Sequence, residues 1–280
     1  MYRIHLLCTL CALALLICSP ALEASVSQIY LFGDSLSDTQ GSATGGISDG
    51  PLYPYYLAPK LGIQYAPGAN YAVASARTSD LAGQISNYEA SSTQADPNAL
   101  YIVWAGGNDI LGGGSGAAAA DNVIAAVSAL ASFGATRFLV PNLPDLGYIP
   151  LDKTFFGTGF HTVESQIFNS ALASHYAGSS MVTLADVFSL HHAILDDPSA
   201  YGFTNVRDAC AYTAPASCDT YLFYDFLHPT TAAHRLLADE FHAAIVPVAP
   251  AIGLFCSGLI GMVGVALRRK DVSELAGCRL

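Results

Sequence analysis

Unbroken apolar runs separated by amphipathic stretches organise this chain. Residues 29–32 (Ile-Tyr-Leu-Phe), 100–105 (Leu-Tyr-Ile-Val-Trp-Ala) and 138–140 (Phe-Leu-Val) are short and rich in aromatic and β-branched side chains. Each stops at Gly, Pro or a small polar residue. Runs of this kind predict strands buried on both faces. Residues 181–184 predict a fourth. Between them, helical spacing covers 53–61, 81–88, 117–133, 161–176, 186–195 and 232–246. Val123, Ala126, Val127 and Leu130 mark the inward face of one helix; Val163, Ile167, Ala171 and Leu172 mark that of another. Strands alternating with helices predict an α/β fold, a three-layer α/β/α sandwich around a mostly parallel central sheet. The polar, Gly-rich residues 38–50 predict a surface loop, and 197–219 an irregular stretch.

The two ends read differently from the body. Arg3, an apolar stretch at 6–17 and the small residues Ser19, Ala21 and Ala24 have the layout of a secretory signal peptide. Residues 249–267 form a run of 19 without a charge and meet Arg268-Arg269-Lys270 directly. That length suffices to cross a bilayer, and the basic cluster would stay on the cytoplasmic side. The expected organisation is therefore a signal peptide at 1–24, one domain at 25–247 and a transmembrane or sorting segment at 248–280. Such a chain is exported to the envelope or beyond, anchored through its C-terminal helix before any processing.

Charge narrows the partners. Between 25 and 247 lie six of the 11 Lys and Arg but 19 of the 22 acidic residues, a net charge of −13. Nucleic acid and anionic surfaces repel such a body, so neither is an expected partner; a monomer is expected. Only Cys210 and Cys218 of the seven cysteines lie within it. In an exported domain the pair is a disulfide candidate closing a small loop. No histidine stands beside them at a metal-ligand spacing, so no metal is assigned.

The strand ends carry the chemistry. The first run stops at Gly33-Asp34-Ser35, which puts a hydroxyl just past the carboxyl edge of the sheet, where open α/β sheets take ligands. Ser and Asp there are also ordinary helix caps. Later segments add to the case: a turn at Gly68, then Gly106-Gly107-Asn108-Asp109, then Asp225-Phe226-Leu227-His228. A spacing of three lets the Asp225 carboxylate meet His228 Nδ1, with Nε2 turned toward Ser35. Hydroxyl, base and orienting carboxylate are what nucleophilic ester cleavage requires.

Four blocks, Gly-Asp-Ser-Leu at 33–36, Gly-x-Asn at 68–70, Gly-x-Asn-Asp at 106–109 and Asp-x-x-His at 225–228, resemble the GDSL, or SGNH, hydrolases. The order matches, and the blocks span nearly the whole body. The resemblance implies an SGNH-like fold with Ser35 as nucleophile, His228 as base and Asp225 orienting it. It also implies an oxyanion hole from the Ser35 and Gly68 N–H groups and the Asn108 side chain, with no cofactor. The branch with Trp-Ala-Gly-Gly-Asn-Asp includes lipases, phospholipases and short-chain esterases. The expected substrate is thus a small-molecule or lipid ester, with substrate preference set by loops 38–50 and 153–159. The tail resembles PEP-CTERM sorting segments, which implies a sorting machinery as partner. It departs from them in lacking a Glu within Val246-Pro247-Val248-Ala249-Pro250.

Two other readings use the same residues. One is removal of acetyl groups from exported polysaccharide; the other is a non-catalytic surface or adhesive protein on a hydrolase fold. The remaining histidines, at 161, 175, 191, 192, 234 and 242, are expected on surfaces or helix faces.

Overall fold

A computed structural model describes residues 25–40, 46–213 and 215–246. The expected signal peptide at 1–24 and the expected transmembrane or sorting segment at 248–280 lie outside them. Among the described residues, no helix is long and apolar enough to cross a membrane.

Four parallel strands form the central sheet: β1 (Ile29–Gly33), β2 (Leu100–Trp104), β3 (Phe138–Pro141) and β4 (Val182–Ala185), in the order β1-β2-β3-β4. Their side chains alternate between two cores, as a period of two requires. Ile29, Leu31, Ile102 and Trp104 pack on one face with α1 (Tyr53–Lys60) and α8 (Thr231–Ile245). Phe32, Tyr101, Val103 and Val140 pack on the other with α2 (Leu81–Ser91), α4 (Gly116–Ser132) and α5 (Thr162–His175). Short α3 (Gly107–Leu111) follows β2, and α6 (Val187–Asp196) follows β4. The expected three-layer α/β/α arrangement is the one observed.

A further extended segment runs beside β1. Leu31 bridges Asn70 in parallel, and the Tyr71 and Val73 N–H groups donate to the Leu31 and Gly33 carbonyls at 2.8 and 3.1 Å. The chain thus leaves β1 to one side, then crosses back to β2 on the other. Such a reversal opens a crevice at the carboxyl ends of the two central strands. Gly33 ends β1 there at φ 149°, and a Cβ on it would stand 1.9 Å from the Trp104 carbonyl oxygen. No other residue fits that close approach.

Three expectations change. The stretch 197–219 holds β5 (Asn205–Ala209), which pairs in parallel with β6 (Tyr221–Phe223), and the one-turn α7 (Cys210–Thr213). The inward face of α5 is Ser165, Phe168 and Leu172, while Val163 is 61% exposed and Ile167 39%. That helix carries two apolar stripes. The one with the larger ring turns inward, because Phe168 fills the space beside Gly106. Third, the loop after Ser35 is packed where it is described: Ser48 Oγ donates to the Pro229 carbonyl and Asp49 accepts the Thr231 N–H. Residues 41–45 fall outside the described residues.

Candidate active site

Every turn that meets at the crevice is fixed by its own residues. After Gly33, the Asp34 carboxylate accepts the Leu36 N–H at 3.0 Å, and its carbonyl accepts those of Ser37 and Asp38. Buried Gln84 grips the Gly33 peptide from both sides, accepting its N–H at 2.8 Å and donating to its carbonyl at 2.7 Å. These bonds hold the Ser35 turn rigidly past the strand end.

From the other end of the chain, Asp225 builds a second turn. Its Oδ1 accepts the Leu227 and His228 N–H groups at 2.8 and 2.7 Å. Its Oδ2 stands 2.7 Å from His228 Nδ1. The ring then reaches across, and His228 Nε2 lies 2.9 Å from Ser35 Oγ. With the carboxylate at Nδ1, that nitrogen carries the proton and Nε2 is left as the acceptor of the hydroxyl. Burial alone would raise the Asp225 pKa. The bonds from the His228 ring and the two backbone N–H groups outweigh it and hold the carboxyl below its usual range. The residues predicted as Ser35, Asp225 and His228 are thus in one hydrogen-bonded line.

Asn108, on the first turn of α3, also comes to the site. Its Nδ2 donates one N–H to the Ala76 carbonyl at 2.9 Å, and both Asn108 and Ser35 line the same cavity. Gly68 does not join them. Asn70 stands beside Leu31, and Gly68 precedes it, away from the cavity that Ser35 and Asn108 line. It sits on an exposed turn at Pro67–Ala69. Its assignment to the oxyanion hole is therefore corrected. Asn70 of the same block is a brace instead: its Nδ2 donates to the Ser37 carbonyl and the Thr39 hydroxyl, and its Oδ1 accepts the Ala72 N–H.

Past Val73, whose N–H meets the Gly33 carbonyl, Ala74 and Ser75 run between the Asp38 side chain and Asn108. Ala76 N–H closes a turn on the Val73 carbonyl, and Ser75 at its third position has φ 65°. It is the one non-glycine residue with positive φ among those described. Asp38 Oδ2 accepts the Ala74 N–H at 2.9 Å, and Asp109 accepts both the N–H and the hydroxyl of Thr78. The turn is thus clamped by both neighbouring blocks. The Ser35 and Ser75 N–H groups donate to nothing among the described residues. The sequence hid this position, because a serine gives no hint of the left-handed backbone that a glycine advertises.

An apolar cavity of about 100 Å³ opens beside Ser35 and His228. Leu36, Leu111, Leu143, Leu146, Ile149, Leu190, Ile194 and Leu227 form much of its wall. His191 also lines it, buried with neither ring nitrogen partnered, and burial pushes its pKa down to about 4. His234 is equally buried behind the site, pushed down to about 3. His161 is buried against Asp152. His191 and His234 lie on inward helix faces, within the expected placements, whereas His161 is interior just before α5, which corrects its expected position. Asp34 is buried too: burial pushes its carboxyl up to about 6, although the Leu36 N–H and the nearby His228 pull the other way.

Cys210 and Cys218 are bonded, with Cα atoms 5.7 Å apart.

Known proteins resemble this chain in sequence and in fold. The chain is 30% identical, over 85% of its length, to a protein of the trpE-trpG intergenic region of Pseudomonas putida, covering 52% of it. It is 28% identical to Lipase 1 of Photorhabdus luminescens and 25% identical to the thermolabile hemolysin of Vibrio parahaemolyticus. These alignments cover 81% and 77% of this chain, and 51% and 63% of the relatives. The chain therefore spans about half to just under two thirds of the length of these relatives. Among solved structures, a lipolytic protein of the G-D-S-L family from Veillonella parvula superposes with a TM-score of 0.54 at 16% identity, over 79% of this chain and 99% of that one. A catalytic mutant of the acetylxylan esterase Axe2 from Geobacillus stearothermophilus gives 0.53 at 14%, over 80% and 96%. At such identities the likeness is one of fold. The sequence model of the GDSL-like lipase/acylhydrolase family matches residues 29–241, from the first strand through the Asp225–His228 turn and into α8, and the chain belongs to that family.

Proposed function

We propose that this protein hydrolyses carboxylic esters by a covalent serine mechanism. The observation that carries the reading is the line Asp225 Oδ2, His228 Nδ1, His228 Nε2, Ser35 Oγ, with steps of 2.7 and 2.9 Å. His228 Nε2 takes the Ser35 proton as Oγ attacks the ester carbonyl. Asp225 stabilises the imidazolium through Nδ1–H and keeps its tautomer. The carbonyl oxygen gains the negative charge, and the Ser35 N–H, the Ser75 N–H and the second Asn108 Nδ2–H are its donors. Collapse expels the alcohol, which receives the proton from His228. Water, deprotonated by the same ring, then releases the acid and restores Ser35.

The cavity supports an apolar acyl group longer than acetyl, since its wall is largely leucine and isoleucine beside the nucleophile. Acetyl removal from polysaccharide would leave that space unfilled. Export is part of the proposal too, and the Cys210–Cys218 bond supports it, because such bonds persist in oxidising compartments. Detection of the chain outside the cytoplasm after fractionation is the check.

Hydrolysis of p-nitrophenyl butyrate by the full chain tests the activity. The wild-type protein turns it over and Ser35→Ala does not; equal rates reject the proposal.

A further inference from the structure

A cluster of aromatic side chains stands in solvent next to the Asp225–His228 turn. Phe155 is 63% exposed, Phe156 49%, Phe160 63% and Tyr212 66%. The rings make two contact groups: Phe155 meets Phe226 at 5.5 Å and Tyr212 stacks on Phe226 at 4.7 Å, while Phe156 stacks on Phe160 at 5.4 Å. A monomer in water rarely leaves so many large rings together on its surface.

The loop that presents them is built to hold its shape. Asp152, fully buried, accepts the His161 N–H at 3.0 Å and pairs with the His161 ring, closing the loop at its base. One wide helical turn, Asp152–Phe156, ends at Gly157, whose N–H returns to the Asp152 carbonyl at 2.7 Å. The phenylalanines therefore project from a fixed platform.

That platform is continuous with the site. Leu146 and Ile149 line the apolar cavity, and two residues further on the Leu151 N–H donates to the Phe226 carbonyl at 2.9 Å. Phe226 itself lies between Asp225 and His228. A surface that grips the rings therefore lies against the segment that carries the base.

Charge selects the occupant. The nearby Lys153 is neutralised by Asp208 and Arg207 lies over the Tyr148 ring, so among the described residues the phenylalanines stand beside no unpaired lysine. The body around it carries a net −13. An anionic bilayer would be repelled, whereas an uncharged or zwitterionic surface would not.

We propose that Phe155, Phe156 and Phe160, with Tyr212 and Phe226, dock on the surface of neutral or zwitterionic lipid. This rests on the ester-hydrolase reading and deepens it: the substrate is an ester presented in a lipid aggregate, and its acyl chain passes from the aggregate to the cavity without crossing water. Aromatic rings set at the headgroup level are the usual anchors of such contacts.

The test compares the full chain with its F155S/F156S/F160S variant and with F160S alone. Sedimentation with phosphatidylcholine vesicles is the readout, beside hydrolysis of dissolved p-nitrophenyl butyrate. Docking predicts that wild type binds the vesicles and that the triple variant partitions roughly tenfold less or weaker still. F160S falls between and hydrolyses the dissolved ester at the wild-type rate. Three results overturn the proposal: no vesicle binding by wild type, equal binding by the triple variant, or tighter binding to phosphatidylglycerol vesicles. Wild type that dimerises through this patch, seen as a mass halved by the triple substitution, overturns it too. If the dissolved ester is untouched by wild type but vesicle binding depends on the three rings, the hydrolase reading fails and the docking surface stands.

Discussion

Asp38 and Ala74 are joined across the site: the Asp38 Oδ2 accepts the Ala74 N–H at 2.9 Å. This bond links the turn that follows Ser35 to the turn that holds Ser75 at φ 65°. A left-handed conformation costs a residue with a Cβ about 1–2 kcal/mol. It persists here because Asp38 on one side and Asn108 on the other clamp both flanks of Ser75.

Substitution at Ser75 separates backbone from side chain. Ser75→Gly relaxes the strain and keeps the N–H, so activity stays within about threefold of wild type and stability rises or holds. Ser75→Pro removes the N–H and forces φ near −65°. It lowers kcat by roughly 10²–10³ if the N–H faces the oxyanion. Steady-state rates on p-nitrophenyl butyrate, with thermal melts as control, decide this.

Asn108→Ala removes a second donor. A fall in kcat of about 10²–10³ with KM nearly unchanged is expected, because the bond forms as charge develops. A rise in KM alone would instead mark Asn108 as a ground-state binding group.

Stability should change with pH through Asp34. Its carboxyl is pushed from 3.8 to about 6 by burial. The folded state therefore keeps its proton over a range where the unfolded chain has lost it. The contribution is full below pH about 4, declines as pH rises, and is gone above about 6. A shift of that size corresponds to about 3 kcal/mol. Asp34→Asn keeps an acceptor for the Leu36 N–H and cannot ionise. The melting temperature of wild type relative to this variant should fall between pH 4 and 6 and level off above.

The Cys210–Cys218 bond closes a loop eight residues long. Chain entropy gives such a loop about 2.5 kcal/mol. The C210S/C218S variant should unfold at correspondingly lower urea, with its ester rate intact, since neither cysteine lines the cavity.

Much of this site is legible in residue order, and the reasons are local. The runs at 29–32 and 100–105 are buried on both faces, so they read as strands without ambiguity. The Asp225–His228 spacing defines a turn by itself. What the sequence conceals comes from tertiary context. Gly68 attracts attention because glycine marks unusual backbone, yet the unusual backbone is at Ser75, held there by Asp38 and Asn108. Gln84 reads as one polar residue on a helix, and only the packed structure brings it to the Gly33 peptide. On α5, Val163 and Phe168 fit inward stripes equally well until the cleft beside Gly106 selects the ring. Residues 153–159 read as a plain loop, because the buried Asp152–His161 pair that shapes it spans nine positions and has no periodic signature.

The proposed hydrolysis depends on His228 activating Ser35 as a nucleophile. Intact-mass and peptide analysis of the full chain after exposure to a fluorophosphonate tests it most directly. One adduct is expected, on Ser35, formed rapidly by wild type and slowed by at least roughly 10³ in His228→Ala. An adduct on another residue, or labelling of Ser35 at the same rate without His228, would contradict it.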